Sequence, residues 1–319
     1  MFSDVLTHRT IQRISSVAPH SAFCDLIRLD PDTLLCCYRQ GDTHVSPDGI
    51  IEISGIGNDG RVRFRQRLHL PGADLRDPKL SRDARGTLWL LAYAKYPETR
   101  KMVSWFSTTG KSWSSCHDTG VRRDWLWRTV WHQNESWGLA YHRARNTLDL
   151  YRGHLGKRMF LHHEQALSKD KHRLGYPNES DLFFDQNQTL WALVRRDADT
   201  FTAQLGKADA PYTRWQWQDL GEYIGGPAWL PLTGDTMLVA GRRWDGKHLR
   251  TCLWLLNRTS GALEVLMTLP SAGDNSYPGL VITGDTLHVA YYSEHVDRQS
   301  RVYLATLSGL EKLRDVIKQ

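Results

Sequence analysis

No run of about 18 consecutive apolar residues occurs in the 319-residue chain, which removes a membrane-spanning helix from the possibilities. The opening residues, MFSDVLTHRTIQ, lack the basic stretch followed by an apolar one that marks a secretory leader. Cysteine is scarce: there are five, an odd number, without metal-site spacing. They read as reduced core thiols, and with no leader the expected location is the cytoplasm. No cofactor and no metal is expected. Lysine and arginine form no block, although the formal net charge is +6. Scattered charge argues against nucleic acid as a partner and suits a small anionic substrate. Helical periodicity is missing except over Leu307–Gln319, which suits a short tail helix. Nothing bears on oligomeric state.

The chain is instead rich in aromatics, turns and repetition. Thirteen Trp and twelve Tyr favour strands. The stretch Tyr176–Arg196, YPNESDLFFDQNQTLWALVRR, reads as a strand, a polar turn and a returning strand. The same pattern recurs from about Asp25, Asp77, Arg128, Glu179, Pro227 and Tyr277, at intervals of 52, 51, 51, 48 and 50 residues. A period near fifty with strand content, plus a later strand in each repeat, is the signature of propeller blades. The expected fold is all-β, a single six-bladed β-propeller over residues 1–319 with blades starting near 22, 75, 126, 177, 225 and 276. An unpaired edge at the seam needs covering, and Thr10–Val17 (TIQRISSV) alternates as an outer strand for the sixth blade.

First strands of propeller blades start on one face, so the residues that begin them are expected to converge. These are Arg76, Asp77, Arg128, Glu179, Gly225–Pro227 and Tyr277. Ends of second strands add Arg39, Arg195 and Tyr292. Convergent polar groups in a concavity form the default candidate site. Each also has a plainer reading. Glu179 with Arg195 makes an ion pair across a hairpin, Arg76 with Asp77 a turn bridge, and Arg128 a clamp between blades.

The repeat and several residues resemble the sialidase superfamily. Asn178-Glu179-Ser180 is similar to that family's Asn-Glu-Ser motif, and Arg195 follows Glu179 by sixteen residues, as a substrate-binding arginine does there. Tyr277-Pro278 stands where the family opens its last blade with a nucleophilic tyrosine, and Arg250 where a further arginine opens a third strand. The resemblance implies that Glu179 activates Tyr277, and that an acid lies in the GDTHVSPDG loop, with Asp42, Asp48 and His44 as candidates. The chain departs from the family at Ala22-Phe23-Cys24, where an Arg-Ile-Pro motif is absent, so Arg39, Arg76 or Arg128 is left to complete an arginine triad. Asp-box repeats survive only as echoes such as Ser107–Trp113.

The expected chemistry follows from charge. A sugar with a carboxylate at its anomeric carbon repels a carboxylate nucleophile, and a phenol avoids that repulsion. Tyrosine is a poor nucleophile until a base takes its proton. Arginines clamp the substrate carboxylate. The reading is therefore a retaining exo-glycosidase acting on a terminal acidic sugar. The rivals are a uronate-glycan lyase, with Tyr277 or His44 as base, and a non-catalytic glycan-binding propeller.

Overall fold

The computed structural model describes residues 5–318, with only the backbone of His8 and Arg9. Among them, twenty-four strands form six four-stranded antiparallel sheets. Blade one holds β2 (His20–Asp30), β3 (Thr33–Gly41), β4 (Ile50–Gly57) and β5 (Val62–Leu68). Blade two holds β6 (Asp74–Arg82), β7 (Leu88–Lys95), β8 (Arg100–Ser107) and β9 (His117–Arg122). Blade three holds β10 (Trp125–His132), β11 (Glu135–His142), β12 (Thr147–Gly153) and β13 (Met159–Ser168). Blade four holds β14 (Pro177–Phe184), β15 (Leu190–Arg196), β16 (Gln204–Ala208) and β17 (Gln216–Asp219). Blade five holds β18 (Gly225–Thr233), β19 (Thr236–Trp244), β20 (Leu249–Asn257) and β21 (Leu263–Thr268). Blade six holds β22 (Ser276–Thr283), β23 (Thr286–Ser293) and β24 (Arg301–Ser308), and its fourth strand is β1 (Thr7–Arg13). The fold is a six-bladed β-propeller, and the N-terminal strand completes the last blade.

That strand lies a few residues earlier than the sequence pattern suggested. Its ladder with β24 ends at Arg13↔Tyr303. Beyond it, the N–H groups of Ile14 and Ser15 both turn onto the Val302 carbonyl, at 2.9 and 3.3 Å, so the extended run stops there. Arg65 then donates to the Ile14 carbonyl at 2.8 Å and to Glu52 at 2.7 Å, while the Ser16 hydroxyl donates to Glu52 at 3.0 Å. Glu52 is fully buried, and these donors offset the cost of removing its charge from water.

The chain divides into two compact units. One contains blades one, five and six; the other contains blades two, three and four. Middle strands are mostly apolar, as in β7 (LWLLAYAK), which is buried throughout but for its last residue. Outer strands alternate, as in β5 (VRFRQRL), because one face meets solvent. Two hairpins of the second unit share a device. Asp83 accepts from the N–H groups of Arg85 and Thr87 and from Trp89 Nε1, at 2.9, 2.9 and 3.0 Å. Asp185 does the same with Asn187, Thr189 and Trp191, at 2.9, 3.0 and 2.9 Å. One carboxylate thus closes the turn and anchors a core tryptophan. The Ser107–Trp113 echo keeps a weaker version, in which the Ser107 hydroxyl accepts from Thr109 and Gly110. The chain ends in α2 (Leu310–Ile317), which buries Leu310 and Leu313. A single turn, α1 (Lys169–His172), follows β13.

First strands carry a repeated irregularity. Between first and second strands the register slips near the start of the first strand in blades one, two, three, four and six: after Ala22, Arg76, Leu126, Pro177 and Ser276. Each slip inserts one extra residue, a β-bulge, which re-aims the side chains around it. The bulged pairs are Phe23-Cys24, Asp77-Pro78, Trp127-Arg128, Asn178-Glu179 and Tyr277-Pro278. Phe23, Asp77 and Tyr277 are left-handed there, with φ of 59°, 47° and 46°. Non-glycine residues rarely adopt this conformation, and it clusters at functional sites.

Candidate functional site

In the first unit, side chains gather around Tyr277. The Phe23 ring meets the Tyr277 ring edge-on at 5.6 Å, and Tyr292 lies 5.8 Å away. The Arg242 guanidinium stands 5.1 Å from the centre of the Tyr277 ring, a cation over a π face. Gly226 has φ of 58°, and a Cβ there would fall 2.9 Å from Tyr277 Cγ, so this turn accepts only glycine. Tyr277 itself is half-buried.

Asp274, in the loop before β22, is the carboxylate of this cluster. Its Oδ1 accepts from the Tyr292 hydroxyl at 2.8 Å and from Arg242 at 3.3 Å, and its Oδ2 lies 2.8 Å from His44 Nδ1. Burial alone would raise its pKa; the hydrogen bond to His44, the charge of Arg242 and the Tyr292 hydroxyl outweigh that and hold it below the usual carboxylate range. Burial pushes the Tyr292 phenol far above its ordinary value, and the nearby Asp274 charge adds to this, so Tyr292 stays a donor. Arg39 is fully buried and donates to the carbonyls of Thr43 and Ser46, both at 2.8 Å. It fastens the loop that carries His44. Arg250 pairs with Asp245 at 3.4 Å and also donates to the Ser271 carbonyl, which fastens the segment leading to Asp274. Asp42 is exposed in the loop after β3, and Asp48, also exposed, belongs to the second unit.

In the second unit, Glu179 and Arg195 meet at 2.7 Å. Arg195 also binds Asp197 side-on, through Nε at 3.0 Å and Nη2 at 2.9 Å, and lies over the Tyr223 ring. Asn178 donates to Asp197 at 2.9 Å and accepts from the Glu179 N–H at 2.7 Å. Arg76 pairs with Asp74 at 3.2 Å and stands 4.0 Å from Asp77. Arg128 is 3.4 Å from Asp181. Lys79 covers the Trp127 ring at 5.0 Å. Trp125 is stacked with Tyr93 at 3.8 Å and with Tyr141 at 5.7 Å. A cleft of about 800 Å³ at the loops after β7 and β11 is lined by Arg100, Arg123, His142 and Arg143, with Glu98.

Sequence reasoning passed over Asp274, His20 and Arg242. Arg242 was within reach, since it ends a second strand as Arg195 does. Register separates other arginines that looked alike. Arg39 pairs with Ala22 just before the bulge, as Arg196 does with Pro177. Both are fully buried and donate to loop carbonyls, Arg196 to those of Gly175 and Ala198.

No family model and no curated protein matches the chain by sequence. Solved structures do match by shape. A protein of unknown function from Dyadobacter fermentans superposes with a TM-score of 0.80 at 15% identity, covering 96% of this chain and 99% of that one. An alpha-L-arabinanase from Penicillium chrysogenum, solved with arabinobiose, gives 0.70 at 15%, covering 96% and 99%. The NanB sialidase of Streptococcus pneumoniae gives 0.66 at 11%, covering 93% of this chain and 70% of that one. The fold is shared with propeller glycoside hydrolases, and the likeness does not single out sialidases. At such identity it speaks for fold alone.

Proposed function

We propose that the chain is a glycoside hydrolase that removes a terminal acidic sugar with retention, using Tyr277 as nucleophile. The observation that carries this reading is the bulged, half-buried Tyr277 with Arg242 over its ring and Asp274 bound to the same arginine. A guanidinium over the ring favours the negative charge that develops as the phenol attacks. The phenol oxygen bonds to the anomeric carbon while the glycosidic bond breaks. The leaving oxygen takes a proton from a group on the β3–β4 loop, such as Asp42 or His44, and the phenol proton goes to a carboxylate. Water then releases the sugar. The arginines lining the unit-two cleft suit an anionic glycan.

The experiment is turnover of acidic aryl glycosides by wild type and Tyr277→Phe. Loss of turnover with a trapped glycosyl-tyrosine in the wild type is the expected result. Unchanged turnover in the variant would remove Tyr277 as nucleophile. Separate D42N, H44A and D48N variants identify the proton donor through their pH profiles.

One observation favours a second reading. His44 is oriented by Asp274, an arrangement suited to a general base. A lyase would use it to abstract the proton beside a uronate carboxylate held by arginine. Its product is an unsaturated uronate, detected by new ultraviolet absorbance, which hydrolysis does not generate.

A further inference from the structure

Three side chains from distant segments of the first unit converge on one point. His20 is the first residue of β2, His44 lies in the β3–β4 loop, and Asp274 lies before β22. One donor atom from each sits within 4.8 Å of the other two, and among the described residues this is the one such group of three. We propose that His20, His44 and Asp274 form a binding site for a divalent transition-metal ion of the zinc class. Two imidazoles and a carboxylate are a donor set suited to such ions, with the remaining positions open to water or substrate oxygens.

The surroundings are built for this. Tyr292 and Arg242 both bind Asp274 Oδ1, which orients the carboxylate and leaves Oδ2 turned toward His44. Asn275 donates to the carbonyls of Leu249 and Gly273, at 3.0 and 2.8 Å, and so fixes the loop beside Asp274. Arg39 fixes the loop of His44 in the same way. Phe23 meets the His44 ring edge-on at 4.9 Å and lies 6.0 Å from the His20 ring, giving an apolar wall that narrows the choice of rotamers. Donors on a tetrahedral ion with bonds of about 2.0–2.1 Å sit roughly 3.3 Å apart. Binding therefore replaces the His44–Asp274 hydrogen bond by opening that pair slightly and drawing His20 in. His44 is 49% exposed at its side chain and has room to make the adjustment. Arg242 opposes the ion's charge, so the site binds more weakly than a closed structural zinc centre.

The inference does not depend on the glycosidase reading, because binding is measured without turnover. The probes are Zn²⁺ by equilibrium dialysis and Co²⁺ by visible absorption, on the untagged full chain after chelator treatment. Wild type is expected to bind one ion, with affinity at least tenfold lower in His44→Ala and in Asp274→Asn. His162→Ala, elsewhere in the chain, keeps wild-type affinity. Circular dichroism confirms that each variant is folded; should Asp274→Asn fail to fold, His44→Ala, altered at an exposed loop residue, still decides. Absence of a stoichiometric ion in the wild type overturns the proposal, as does binding that His44→Ala leaves unchanged.

Discussion

Arg195 and Arg242 sit near the ends of second strands in their own blades, yet their surroundings are opposite. Arg195 is one guanidinium between two carboxylates, Glu179 and Asp197, with side-chain exposures of 15%, 9% and 22%. Arg242 shares one carboxylate, Asp274, with two other donors, His44 and Tyr292. In the first case two carboxylates enclose one guanidinium; in the second, three donors converge on one carboxylate beside a half-buried phenol. The same strand-end residue type thus serves a closed ion network in one unit and an open, donor-rich cluster in the other. Removing one member of an enclosed pair is costly because it leaves an uncompensated charge away from water. Under the proposed function, donors gathered beside Tyr277 suit an anionic substrate.

The comparison is sharpest at Tyr277. Tyr277→Phe is expected to lower kcat by roughly a thousandfold or more, about 4 kcal/mol of barrier, with urea stability near wild type. Arg195→Met leaves Glu179 and Asp197 without their partner and is expected to cost about 3–5 kcal/mol of stability, read as a lower urea midpoint at unchanged slope. A stability change under about 1 kcal/mol would show that Arg195 is not structural. Arg242→Met removes a charge whose carboxylate keeps two donors. It is expected to cost only about 1–2 kcal/mol of stability, while kcat/KM on an acidic glycoside falls roughly a hundredfold. Similar stability losses for both arginine variants would erase the distinction.

The smallest effect concerns pH. Asp274 has a folded pKa below its ordinary value near 3.8. Its contribution to stability is present above that ordinary value and is lost as pH falls through the depressed one. Asp274→Asn should therefore flatten stability against pH below about 4. Denaturant titrations at several acidic pH values provide the measurement.

The blades were readable because each repeats a strand–turn–strand of fixed length, with apolar middle strands and polar turns such as Asp185–Gln188. Tyr277, Glu179 and Arg128 were singled out as blade-starting residues, and bulges do fall on them. Bulge conformation was not legible, since it follows from strand pairing: Tyr277 takes φ of 46° and its ring lies close against Gly226. The His44–Asp274 contact joins residues 230 apart, through loops whose course no local pattern sets. Phe23 stood out only as the wrong residue for an arginine motif, whereas its ring forms the wall shared by His44 and Tyr277. The plainer readings also have a share: Glu179 and Arg195 do make an ion pair, and Arg76 stands 4.0 Å from Asp77 while making its shorter contact with Asp74.

The pairing of β1 with β24 has a consequence for how the chain is made. Thr7 and Ser308 touch across 301 residues. At translation rates of roughly 5–20 residues per second, the first strand emerges about 15–60 s before its partner exists. Throughout that interval it is an unpaired edge, open to the wrong neighbour or to a chaperone. A chain interrupted before β24 therefore leaves β1 without its partner and the last blade unsealed.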